Sequence, residues 1–215
     1  IILFFAIHLF LEPVFSQNVE EYIPFEFEVE TVFEFSAEYF VDPDYSPPPP
    51  STLAFPSMNN VTAGQSLNDK FDMGYLIGIK KGNEIHFISE YKVLVKFTCT
   101  TNSGKPYILT QHLTAPLSND ASGINLSEDI LVCYATVKQG EGDPLKGTVL
   151  LSNTTPVSII TPQIIYQSKD LPDTDLSNTI RVYYWITDDS TQPITIDQKA
   201  GQYKTTIIFT MQEEL

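Results

Sequence analysis

Between Phe25 and Phe35 the chain alternates apolar and acidic residues almost without a break: Phe25-Glu26-Phe27-Glu28-Val29-Glu30-Thr31-Val32-Phe33-Glu34-Phe35. Side chains on a strand point to opposite faces at every second residue. An extended segment therefore carries Phe25, Phe27, Val29, Phe33 and Phe35 on one face and Glu26, Glu28, Glu30 and Glu34 on the other. Such a strand is not stable alone, because its apolar face needs a sheet or a groove to lie on. Burying those five side chains at roughly 1.5–3 kcal/mol each amounts to about 7–15 kcal/mol before ordering and association costs. The receiver is either the chain's own sheet or another molecule, and the segment's chemistry alone leaves both open.

Charge separates this region from the rest. The chain has 215 residues and a formal charge of -15. Residues 1–50 hold ten acidic side chains and no Lys or Arg, while the remaining 165 hold 17 acidic and 12 basic groups. Nucleic acid is disfavoured as a partner, since phosphate would be repelled, and so are anionic membrane surfaces. The run Ile1-Ile2-Leu3-Phe4-Phe5-Ala6-Ile7-His8-Leu9-Phe10-Leu11 is too short to span a bilayer, and Val14-Phe15-Ser16 offers a cleavage site before Gln17. Residues 1–16 thus read as a secretory signal peptide with a truncated start, and the protein is expected to be exported to the surface or medium, with no membrane insertion after leader cleavage. Residues 17–50 read as an acidic, aromatic extension ending in a linker, where Pro47 to Pro50 favour a stiff polyproline II spacer of roughly 12 Å. The domain proper is expected over residues 51–215.

From Ser51 onward the periodicity is two. Ile85, Phe87, Tyr91, Val93, Val95, Phe97 and Cys99 fall on one face, which predicts a long strand over residues 84–101, or a strand with a bulge near Ser89. Further strands are expected at Tyr107–Ala115, Asp129–Val137, Gly147–Leu151, Val157–Gln167, Thr179–Thr187 and Gln202–Gln212, with weaker signals at Leu53–Val61 and Phe71–Ile79. Turn chemistry separates them at short intervals, and no amphipathic helix of ten residues is evident. This is an all-β chain, expected to form an antiparallel sandwich, with a closed barrel as the alternative. Enough strands are present that no missing strand is evident. In an exported protein Cys99 and Cys133 are most simply a disulfide, whose loop of about 35 residues would stabilise by roughly 3–4 kcal/mol.

No residue pattern names a reaction. His86 and His112 fall among polar-face neighbours and read as surface histidines; no nucleophile elbow, phosphate loop or zinc spacing occurs. A catalytic role, a metal and a cofactor are therefore not expected. Asp170-Leu171-Pro172-Asp173-Thr174-Asp175-Leu176-Ser177-Asn178 gathers oxygen ligands, but it lacks the glycine and the terminal glutamate of an EF-hand loop and reads as a solvated acidic turn. Trp185 with Tyr183 and Tyr184 is the one candidate for stacking on a sugar ring, the basis of an alternative reading as a secreted carbohydrate-binding module. The sequons at Asn60, Asn125 and Asn153 matter only in a glycosylating pathway.

The closing segment Ala200-Gly201-Gln202-Tyr203-Lys204-Thr205-Thr206-Ile207-Ile208-Phe209-Thr210-Met211 places Tyr203, Thr205, Ile207, Phe209 and Met211 on one face. It resembles the final strand of bacterial pilin-type sandwich domains, the fimbrial and spore-coat-U-like group. Val95-Lys96-Phe97-Thr98-Cys99-Thr100 resembles that group's first cysteine strand. The resemblance covers about 40 residues. It implies an immunoglobulin-like sandwich, export, one disulfide, and assembly with copies of itself or another surface protein by strand addition, with an N-terminal apolar segment filling a groove in the next subunit. The expected function is a non-catalytic structural or adhesive surface protein.

Overall fold

The computed structural model describes residues 33–55, 57–68, 71–119, 121–137, 147–169 and 177–214. Their strands are β1 (Phe33–Val41), β2 (Leu76–Lys81), β3 (Glu84–Ser89), β4 (Val93–Thr101), β5 (Tyr107–Leu113), β6 (Ser118–Asn119), β7 (Ile124–Asn125), β8 (Leu131–Thr136), β9 (Gly147–Val149), β10 (Thr155–Pro156), β11 (Gln163–Ser168), β12 (Ser177–Ile186), β13 (Ile194–Thr195) and β14 (Ile207–Glu213). One antiparallel sheet runs β1-β4-β12-β8-β10 and a second runs β14-β5-β11-β9. A smaller sheet, β13-β3-β2, and the β6-β7 ribbon complete the set. The leader and residues 17–32 lie outside the described residues. Among the described residues no helix is long and apolar enough to cross a membrane.

The two large sheets form a sandwich because alternate residues on their strands are apolar. Val93, Val95, Phe97 and Cys99 of β4, Ile180, Val182, Tyr184 and Ile186 of β12, and Leu131, Cys133 and Ala135 of β8 all point inward and are buried. They meet Tyr107, Leu109 and Leu113 of β5, Ile165 of β11 and Met211 of β14. In an immunoglobulin-type sandwich one sheet runs A-B-E-D and the other carries C, F and G. Here β1, β4, β12 and β8 stand in the A, B, E and D positions, with β5 and β14 at C and F. Among the described residues no strand pairs with the outer edge of β14.

Three expectations change. The strand expected over 84–101 is two strands in different sheets: it breaks at Glu90–Lys92, where the Glu90 carboxylate accepts hydrogen bonds from Tyr45 Oη (2.7 Å), Asn59 Nδ2 (2.6 Å) and Ser57 Oγ. The strand expected over Val157–Gln167 also divides. The chain first follows β5, Ile160 N donating to Leu113 O (2.7 Å), then reverses at Ile160, whose φ is +71°, before β11 begins. At the other end, residues 33–41 of the expected extension are strand: β1 continues to Val41, in register with β4 from Phe33 opposite Thr101 to Val41 opposite Val93. The cross-strand pair Glu38–Lys96 is also an ion pair at 3.5 Å. Downstream, Pro49 keeps polyproline geometry (φ -57°, ψ 140°), and Pro50–Thr52 form one 3-10 turn.

The disulfide is not formed. Cys99 and Cys133 are free and buried. Both sit in the five-stranded sheet, on strands flanking β12, where Cys99 opposes Asn178 and Cys133 opposes Tyr184. Six residues of strand separate those partners, about 20 Å at 3.3 Å per residue, whereas a bridge needs Cα atoms within about 7 Å. Alternation placed both thiols on the inward face correctly but said nothing about their heights along it.

Candidate functional site

The turn after β4 sets the geometry of one lateral seam of the sandwich. It defines an upper end, where Thr101 leads to Tyr107. Because β1 is antiparallel to β4, Phe33 lies at that end; because β14 is antiparallel to β5, Glu213 lies there too, opposite Tyr107. The sheets stack with β14 over β4, Phe209 meeting Phe97 at 4.7 Å between ring centroids. β5 lies over β12, where the Tyr184 hydroxyl donates to Gln111 Oε1 and Asn178 Nδ2 donates to Tyr107 Oη at 3.0 Å. The inner face of β1 is next in line, and no described strand covers it.

The two halves of that face differ. Toward the lower end, Tyr39 and Val41 are closed off by the segment that follows the proline run. Val41 N donates to Gln65 O (2.8 Å), Leu67 N donates to Tyr39 O (2.9 Å), and Phe71 packs edge-on against both Tyr39 (6.3 Å) and Tyr184 (5.1 Å). Toward the upper end Phe35 is 37% exposed, its ring resting on Phe97 at 6.3 Å. With Phe209 half-buried across the seam, Phe35 faces the side of the sandwich on which β14 presents its outer edge.

Edge strands invite pairing, and proteins blunt the edges that must stay single by shortening them or inserting proline. The opposite side of this sandwich follows that rule: β10 is a two-residue edge ending in Pro156, and β9 has three residues. β1 and β14 do not, having nine and seven residues with no proline. Among the described residues the outer edge of β14 carries no strand, and that of β1 carries only the bridge from Phe40 to Ser66.

Of the residues expected to carry strand addition, Phe25, Phe27 and Val29 lie outside the described residues. Phe33 and Phe35 are already part of β1, paired to Thr101 and Cys99. Sequence reasoning did not single out the aromatic residues gathered along β1 and its neighbours: Phe97, Phe209 and Phe71. One signal was available, since the odd-numbered apolar residues Phe33 and Phe35 are followed in the same parity by Ala37, Tyr39 and Val41.

The remaining candidates lie elsewhere. His86, expected at the surface, is 7% exposed; its Nε2 lies 3.2 Å from Glu84 Oε2 and its Nδ1 3.9 Å from Asp188 Oδ2, which also pairs with Lys81 Nζ at 2.9 Å. Among the described residues no three His, Cys, Asp or Glu side chains gather around a metal position. The Asp170–Asn178 turn falls mostly outside the described residues, and Asn178 itself is buried. Tyr184 is fully buried, Tyr183 is 7% exposed, and the Trp185 ring lies under Lys92 Nζ at 4.8 Å, with Tyr134 edge-on beside it. A ring face already holding an ammonium is poorly placed to stack a sugar. The sequon asparagines Asn60, Asn125 and Asn153 are all exposed.

Comparison of the chain with protein-family models, with curated proteins and with solved structures finds no match.

Proposed function

We propose that this chain is a non-catalytic structural or adhesive subunit that assembles by strand addition, the segment Phe25–Thr31 of one copy seating in the upper seam of the next. The observation that carries the reading is the exposed Phe35 on the side where, among the described residues, the edge of β14 is unpaired. An added strand there would lie in the G position and pair with the upper part of the β14 edge, near Phe209–Glu213. Pro24 would end the pairing on the upstream side, since it has no N–H to contribute.

A second copy is the better occupant than the chain's own segment. To enter its own seam, residues 25–31 would have to reverse before Phe33, yet Glu30-Thr31-Val32-Phe33 contains no Gly, Pro, Asn or Asp and is rich in strand formers. Because Phe33 and Phe35 stay in their own sheet, the incoming strand contributes Phe25, Phe27 and Val29, about 5–9 kcal/mol gross. Association costs of about 4–15 kcal/mol offset most of that. Main-chain hydrogen bonds to β14 must supply the margin. Export to a surface is read from the apolar leader alone, since the cysteines are free thiols.

The test is solution mass against concentration for the full chain and for a variant carrying Phe25→Ser, Phe27→Ser and Val29→Ser. The full chain should grow in mass with concentration, more so as salt screens the charge of -15, and the variant should stay monomeric. Identical behaviour of the two would end the strand-addition reading.

A further inference from the structure

The outer faces of the two large sheets differ in charge. Outside the five-stranded sheet Glu38, Lys96 and Arg181 stand in one cross-strand row, Glu38 opposite Lys96 and Lys96 opposite Arg181. The four-stranded sheet is made differently. Alternate residues of β5 from Tyr107 to Leu113 are buried, so Ile108, Thr110 and His112 point outward. Register sets Gln212, Thr210 and Ile208 of β14 beside them on one side. On the other side stand Gln167 and Ile164 of β11, with Thr148 of β9 next to Gln167. In a chain of charge -15, these outward positions carry no Asp, Glu, Lys or Arg. Ile164, Ile208, Thr148 and Thr210 are exposed, so the face is open. Charge returns at its ends. Glu214 lies at the upper one, its carboxylate accepting from Gln167 Nε2 at 2.9 Å, and the exposed Lys204 precedes the lower end of β14.

We propose that this charge-free face is a lateral contact on which a second copy packs face to face, joining strand-linked polymers side by side. This rests on the strand-addition reading and adds how its polymers associate. Charge selects the occupant. Two chains of -15 repel each other, and here they can approach without carboxylates meeting. Sheets packed in this way lie about 10 Å apart. With the strands antiparallel across a two-fold axis, the Glu214 end of one copy lies over the Lys204 end of the other. Other occupants fit less well: the face has no Phe, Tyr or Trp ring to stack on a sugar, and no Lys or Arg to hold phosphate. Size decides the form of the contact. Four strands about 4.8 Å apart and about 20 Å long cover roughly 400 Å² per copy, about 800 Å² for the pair, against about 1,200–2,000 Å² in a standard interface. Single subunits therefore stay apart. The contact holds once strand addition lines up many subunits, each further pair then meeting at high effective concentration.

Thr110 is the position to test, since it lies mid-face between Thr210 and Ile164, on a strand that is not an edge. Thr110→Lys makes the chain less negative, so net charge would favour association, yet it puts an ammonium where contact would strip its water. Thr98→Lys, outside the other sheet, makes the same change in charge and is the control. The measurement is the mass per unit length of polymers of the full chain, by electron microscopy of unstained specimens at fixed salt. Parent and Thr98→Lys polymers should have about twice the mass per length of Thr110→Lys polymers. Ile164→Lys, on the neighbouring strand, should act as Thr110→Lys does, which separates a lost contact from a local fault at Thr110. Equal mass per length in all these proteins, or narrowing by Thr98→Lys as well, overturns the lateral contact and leaves strand addition standing. If the parent stays monomeric, strand addition itself fails and the lateral contact falls with it.

Discussion

Cys99 and Cys133 flank the same strand, β12, yet face partners six residues apart on it, Asn178 and Tyr184. Each thiol is enclosed by polar neighbours of the core, Cys133 Sγ accepting from Gln111 Nε2 at 3.1 Å. Burial pushes the Cys99 thiol up to about 12 and the Cys133 thiol to about 11, the contacts with Tyr107 and Gln111 opposing but not cancelling it. Reactive thiols are thiolates, so the folded protein should react with a thiol reagent at neutral pH only as fast as it unfolds. In denaturant both cysteines should titrate without reductant. Finding no free thiols in the denatured protein would contradict the fold.

Gln111 is fully buried between the sheets and accepts the Tyr184 hydroxyl while donating to Cys133. Gln111→Leu strands that hydroxyl in the core and should cost about 1–3 kcal/mol. Adding Tyr184→Phe removes the orphan, so the double variant should recover most of the loss. A urea-unfolding cycle measures the coupling, and additive losses would mean the hydroxyl finds another partner.

Ile160 holds φ at +71° with 71% of its surface exposed. A β-branched residue in the left-handed region costs about 1–2 kcal/mol, and Asn tolerates that region far better. Ile160→Asn should therefore raise stability by about 1 kcal/mol in urea unfolding, because the side chain contributes little burial in exchange.

Glu90 ties the post-proline segment to the sandwich. Burial by itself raises its carboxyl, but the hydrogen bonds from Ser57, Asn59 and Tyr45 outweigh that and hold it below the ordinary value. A depressed folded value means the contribution is present above the unfolded carboxylate value, near about 4.3, and is lost as pH falls through the folded one. Tyr45 works in the opposite sense. Burial first, then the bond to Glu90, raises its hydroxyl, so its contribution is present below the unfolded tyrosine value of about 10 and is lost as pH rises through the folded one. Glu90→Gln should flatten the acid limb of the stability profile, and Tyr45→Phe the alkaline limb. Exchange at the Leu67 amide should follow the acid limb in the parent protein, since the hub anchors that segment.

The all-β class, the inward faces of β4, β5, β8 and β12, and the last strand were legible because a period of two is a local property of the sequence. Alternation assigns each side chain to a face without knowledge of what the face meets. The same local signal read Phe25–Phe35 as extended and put both cysteines inside. Its errors have one form. The break at Glu90 depends on three donors from residues 45, 57 and 59. The burial of His86 depends on Asp188, about a hundred residues away, and the reversal at Ile160 on hydrogen bonds to β5.

What the sequence determined by itself is the face each residue takes by parity, as in the alternation of Phe25–Phe35. Only the tertiary structure decided that Phe33–Val41 is an edge strand of the chain's own sheet, that the cysteines are too far apart to join, and that among the described residues the outer edge of β14 carries no strand while Phe35 is exposed. The reason is that parity fixes the face of a residue but not the height of its strand or its neighbour in the sheet. Those follow from pairing between segments distant in sequence.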